Sequence, residues 1–120
     1  MPTTGDKLAT YAEMDLREAL TRVKKSHERF MLWKDTAFSL RASCMTKAAA
    51  KLMAEKKSLA KLITEEMGKP ILQAEGEIEK CARLCEYFAE NAENFLKPEL
   101  IKTEASKSYI AYEPLGVILA

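Results

Sequence analysis

Apolar side chains return every three or four residues along most of this chain, the spacing that lines one face of an α-helix. The longest run is Ile71, Ala74, Ile78, Cys81, Cys85, Phe88, Ala92 and Phe95. Glu75, Glu77, Glu79, Lys80, Arg83, Glu86 and Glu90 fall between them as a solvated face. Gly68 suits the left-handed position that closes a preceding helix. Pro70 fits the first turn of the next one, where an N–H has no partner to lose. Gly76 stands inside the run, where it costs about 1 kcal/mol relative to Ala. Its presence predicts the close approach of another backbone.

Upstream, shorter helices are predicted. The first begins after Asp15, which has capping-box spacing to Glu18. Its face is Leu16, Leu20, Val23, His27 and Phe30, and Trp33 closes it. The second takes Thr36 as N-cap and lines up Phe38, Ala42, Met45, Ala49 and Leu52. A third stretch, Lys56–Met67, turns Leu59, Leu62, Ile63 and Met67 inward. Period alone does not decide whether it continues the second helix or breaks near residues 54–57. After Pro98 the character changes. Residues 100–104 and 107–113 hold Ile101, Thr103, Tyr109, Ile110 and Tyr112, which predicts two antiparallel strands joined at Ala105-Ser106. Pro114-Leu115-Gly116 turns the chain into the apolar run 117–120, the expected start of a strand buried on both faces. The fold class is therefore mainly α with a small β part: three to four helices, a hairpin and the start of a strand.

Composition narrows the class. With 120 residues the chain is at most one domain. Its 48% hydrophobic and 31% charged residues make it globular rather than disordered. A net charge of +1 gives no footprint for nucleic acid or for an acidic membrane surface. No apolar run is long enough to span a bilayer, and no signal peptide is visible at the N-terminus. Three cysteines without a secretory signal point to a reducing, cytoplasmic setting.

Candidate chemistry is sparse. Cys81 and Cys85 lie four apart on the apolar stripe, Cys44 is on another helix, and His27 is the single histidine. A nucleophilic cysteine needs a partner base, so packing is the preferred reading of all three thiols. A zinc site would need His27 and a further ligand beside the i, i+4 pair, which leaves no metal expected. His27 itself reads as a core-edge residue with a satisfied hydrogen bond rather than a switch. The stripe also follows a heptad-like repeat, but Ala and Cys in its seam favour burial in a larger fold over a coiled coil. Gly5, Gly68, Gly76 and Gly116 are too scattered for a phosphate loop. The paired carboxylates read as solvated helix charges, not as an acid/base dyad.

The words EEMGKP, QAEGEIEKCA, CEYFAENAE and YEPLGVILA, in this order and spacing, closely resemble the N-terminal part of NAD(P)-dependent aldehyde dehydrogenases. Within that family the chain most resembles the succinate-semialdehyde dehydrogenases. The resemblance runs from Pro2-Thr3-Thr4-Gly5 to Ala120. It implies an N-terminal fragment of an α/β fold whose full-length relatives oxidise an aldehyde to its acid with NAD or NADP. In those relatives a cysteine thiolate attacks the carbonyl, hydride passes to the cofactor, and a glutamate activates water to hydrolyse the thioester. The resemblance places all of these groups beyond Ala120. No catalytic, cofactor-binding or metal residue is thus expected here, and the chain alone is expected to be inactive and to bind no cofactor. It further implies that residues 1–99 belong to the helical part of the nucleotide-binding domain. Residues 100–113 would be the hairpin of the oligomerisation element, and 114–120 the start of a dinucleotide-binding strand. By position, Lys80 and Leu84 on the long helix would line the mouth of the substrate tunnel, where a cation suits a carboxylate-bearing aldehyde. A solvated charge is the competing reading of Lys80. The implied partners are the rest of the dehydrogenase chain or other subunits, with homo-oligomers forming through the 100–113 hairpin, and neither nucleic acid nor membrane. The alternative is a free-standing helical interaction module that associates with itself or with intact dehydrogenase subunits. An apolar run at 117–120 weighs against it, because a self-contained module covers or charges its strand edges.

Overall fold

The computed structural model describes residues 1–119. Among them the elements are α1 (Leu16–Trp33), α2 (Phe38–Ala54), α3 (Lys56–Met67), α4 (Ile71–Leu96), β1 (Glu99–Leu100) and β2 (Tyr109–Ile110). The chain is mainly helical with one two-stranded antiparallel sheet, as the pattern predicts. It divides into two compact units, Met1–Ala12 with Ser39–Glu90 and Glu13–Phe38 with Asn91–Ala120.

In the first unit the second and third helical stretches are separate. Glu55 leaves helical geometry, with φ −101° and ψ 11°, between α2 and α3. The backbone ladder still passes through the bend: Glu55 N–H donates to the Lys51 carbonyl and Leu59 N–H to the Glu55 carbonyl, each at 3.0 Å. The Ser58 hydroxyl adds a 2.8 Å bond to the same Glu55 oxygen. α3 ends at Gly68, whose φ of +73° only glycine adopts without strain, and its N–H caps the Thr64 carbonyl at 2.9 Å. Pro70 then opens α4 by accepting the Ala74 N–H at 3.0 Å.

The buried side chains of this unit are Ala49 on α2, Ala60 on α3, and Ala74, Ile78 and Ala82 on α4. The predicted stripe of α4 is therefore rotated. From Ile78 a step of three reaches Cys81 and a step of four reaches Ala82. With 3.6 residues per turn both flanks of the stripe are apolar. The unit buries the alanine flank, whose single methyl groups let helices come close. Cys81 and Phe88 consequently lie exposed, Cys85 is half-buried, and Cys44 on α2 is exposed. The burial expected of Cys44 and Cys81 is therefore not found, and Cys85 keeps only part of it. Lys56 on α3 ties the two helices on the buried side. Its Nζ lies 3.0 Å from Glu79 Oε1 and 3.6 Å from Glu75 Oε2.

In the second unit α1 starts as predicted. The Asp15 carboxylate accepts the Glu18 N–H at 2.7 Å, and Glu18 pairs one turn on with Arg22 at 2.7 Å. No residue of α1 is buried, and Leu16 is 75% exposed. His27 is likewise exposed, its ring 6.2 Å from that of Phe30, so it is no core-edge residue. Thr36 does not cap α2. Its hydroxyl donates back to the Trp33 carbonyl at 2.7 Å, an oxygen at the end of α1 that also accepts the Thr36 N–H at 3.1 Å. α2 begins two residues later, at Phe38.

The ladder beyond α4 is shorter than the two predicted strands. Glu99 pairs with Ile110 and Leu100 with Tyr109. Ile101 N–H extends the pairing to the Ser108 carbonyl at 2.9 Å, and the Thr103 and Ser108 hydroxyls share a 2.6 Å bond. Tyr112 Oη donates to Glu99 Oε1 at 2.5 Å across the hairpin, a bond that lifts the phenol above its ordinary pKa. Side-chain bonds thus hold this hairpin where backbone pairing is brief. Residues 117–119 have no ladder partner among the described residues, and Ala120 lies outside them.

Candidate functional site

The face of α4 turned away from the buried alanines carries an open groove of about 590 Å³. Gly76, Lys80 and Leu84 follow one another along it at one-turn spacing. Gln73 and Cys81 flank them, and Lys69, just before the helix, meets Glu77 at one end. Lys69 Nζ donates to the Glu77 carboxylate, so that charge is already matched. Lys80 is exposed and makes no ion pair among the described residues. Leu84, 52% exposed, supplies the apolar wall.

Gly76 forms bare helix backbone on the groove. A Cβ placed there would meet nothing within 4 Å. The expected close approach of another backbone is thus not made by the described residues. The absence of a side chain opens the groove instead.

The structure brings the two residues singled out in the sequence, Lys80 and Leu84, onto one wall together with Cys81. Cys44 sits on α2 and His27 on α1. Among the described residues no three His, Cys, Asp or Glu side chains converge as metal ligands. Gln73 and Gly76 were missed as lining residues, yet stepping back four from Glu77 and from Lys80 would have found both. The groove offers one unmatched cation, an apolar wall and a thiol, with its carboxylate occupied by Lys69. That set suits holding the acidic end of a small molecule rather than moving a proton.

On the other side of α4 the ion cluster fixes the helix that presents the groove. A hydrogen bond from Lys56, reinforced by its charge and by Arg83, holds the Glu79 carboxyl below the ordinary carboxylate range. The same hydrogen bond and charge, with Glu75 adding to them, raise Lys56 above the ordinary lysine value. Among the described residues no helix is long and apolar enough to cross a membrane.

Residues 1–120 match the model of the aldehyde dehydrogenase family. A Synechocystis protein named probable succinate-semialdehyde dehydrogenase (NADP+) is 40% identical over 99% of this chain and 26% of its own length. Succinate-semialdehyde dehydrogenase (NADP+) 1 of Mycobacterium tuberculosis is 38% identical over 99% of this chain and 27% of its own. The chain spans about a quarter of the length of these relatives. The crystal structure of succinic semialdehyde dehydrogenase from Streptococcus pyogenes, in complex with NADP+, superposes with a TM-score of 0.80. That match covers 85% of this chain and 23% of the other at 24% identity, a likeness that speaks for the fold.

Proposed function

The chain belongs to the aldehyde dehydrogenase family, and from that footing we propose that it serves a succinate-semialdehyde dehydrogenase that oxidises its aldehyde to the acid with NADP+. The observation that carries this reading is the 40% identity to the Synechocystis relative across 99% of the chain. In this reading residues 1–99 form a helical part of the nucleotide-binding domain and 100–113 the element through which subunits bridge. The remainder of the dehydrogenase, in the same or another chain, is its partner. Lys80 and Leu84 face the substrate passage. An unmatched ammonium there attracts the carboxylate of succinate semialdehyde, and Leu84 covers its methylenes. The chain on its own supplies scaffold and not turnover, because its four dispersed glycines build no phosphate-binding loop.

Co-expression of the chain with the remaining three quarters of the Synechocystis relative tests the assignment. The expected result is NADP+ reduction with succinate semialdehyde by the mixture and none by the chain alone. Lys80→Met should then raise the KM for succinate semialdehyde while leaving that for butanal, which lacks the carboxylate, unchanged. Saturable, micromolar binding of NADP+ to the isolated chain in a calorimetric titration would overturn the scaffold role.

A further inference from the structure

We propose that Cys81 and Cys85 together form a two-thiol site on α4 that takes a trivalent organoarsenical as a chelated adduct. The inference is independent of the dehydrogenase reading. It starts from helix geometry. α4 runs unbroken from Ile71 to Leu96, so positions 81 and 85 sit one above the other on the same face. Residues four apart in a helix hold their Cβ atoms about 5–6 Å from each other. A disulfide needs Cβ atoms about 3.5–4.5 Å apart. The intact helix therefore keeps these two thiols from oxidising to one another, while leaving them close enough to share one bridging atom.

Accessibility points the same way. Cys81 is exposed on the groove wall and Cys85 is half-exposed, because the unit buries the alanine flank of α4 instead. Neither thiol is committed to a disulfide. The number of donors selects the ligand. Sulfur donors favour soft centres. Zinc asks for four ligands, or three and a water, and among the described residues no third side chain converges on the pair. An arsenic atom that already carries an organic group needs only two more bonds. With phenylarsine oxide, two As–S bonds form and two S–H bonds break. The oxide oxygen leaves with both protons as one water, and arsenic stays trivalent. Gly76 and Leu84 leave open, partly apolar room beside Cys81 for the phenyl ring.

The test is intact-mass spectrometry with thiol counting on the full chain and phenylarsine oxide. The expected product carries one arsenical per chain and has lost two of its three free thiols. It survives excess monothiol and is removed by a dithiol. Cys81→Ser and Cys85→Ser each abolish the stable adduct, and Cys44→Ser keeps it. The double change Cys85→Ala with Glu86→Cys keeps three thiols but turns one by about 100° around the helix. With circular dichroism showing unchanged helix content, this variant should bind on the order of tenfold more weakly, because the second thiol no longer acts at a high effective concentration. Equal binding by the re-spaced variant, or loss of the adduct in Cys44→Ser, overturns the proposal.

Discussion

At Gly76 a helix gives up roughly 1 kcal/mol of stability, and among the described residues no neighbouring atom collects a benefit from the missing methyl. Gly68 is the opposite case: its φ of +73° strains any side chain, although Pro2, 3.5 Å from where a Cβ would stand, leaves it ordinary contact room. Alanine should therefore act with opposite sign at the two positions. Gly76→Ala is expected to stabilise the isolated chain by about 1 kcal/mol, and Gly68→Ala to destabilise it by a similar amount. Urea midpoints read against the parent chain decide the matter. A loss of stability in Gly76→Ala would mean that something packs against that backbone after all. If the groove receives substrate in the assembled dehydrogenase, the same alanine narrows it, so a gain in stability would come with a loss in aldehyde binding.

Between elements, the α3–α4 joint rests on Lys56 and its two glutamates, and its pH dependence has a definite sign. The Glu79 carboxyl lies below its unfolded value when folded, so its contribution is present above the ordinary carboxylate range and is lost as pH falls through the folded value. Lys56 lies above its unfolded value, so its contribution is present below the ordinary lysine range and is lost as pH rises through the folded value. The cluster should thus hold fully across neutral pH and weaken at both ends. Lys56→Met is expected to flatten both edges of a plot of urea midpoint against pH, and unchanged edges would assign that dependence to other groups. These contacts also mark what the sequence could and could not disclose. Asp15, Gly68 and Pro70 act through their own backbone neighbours, so their roles were legible from local spacing. The choice between Cys81 and Ala82 was not, because a 3.6-residue period fits both and only burial in the folded unit selects one. Thr36 failed for a related reason: its hydroxyl has a carbonyl within reach behind it as well as an N–H ahead, and the type of residue does not say which it serves. Lys80 and Leu84 are suggested by resemblance alone, whereas the sequence suggests packing at Gly76, where the missing side chain opens space.

At the scale of the whole molecule, many large apolar side chains are exposed. Leu84, Tyr87 and Phe88 on α4 are each 42–52% exposed, and Leu115, Ile118 and Leu119 reach 70–98%. Such surface favours association with more protein. The isolated chain is expected to self-associate reversibly at concentrations of about tens of micromolar, and deleting residues 116–120 should reduce the effect. Sedimentation velocity over a dilution series reads this directly, and a sharp monomer throughout would count against it. The interior has its own consequence. Apolar surface released on unfolding raises heat capacity by roughly 0.45 cal/K/mol per Å², and alanine methyls release little of it. With Ala49, Ala60, Ala74 and Ala82 at its centre, the first unit should open with a small heat-capacity increment. Its stability then varies gently with temperature, a shallow arch whose warm and cold limits stand far apart.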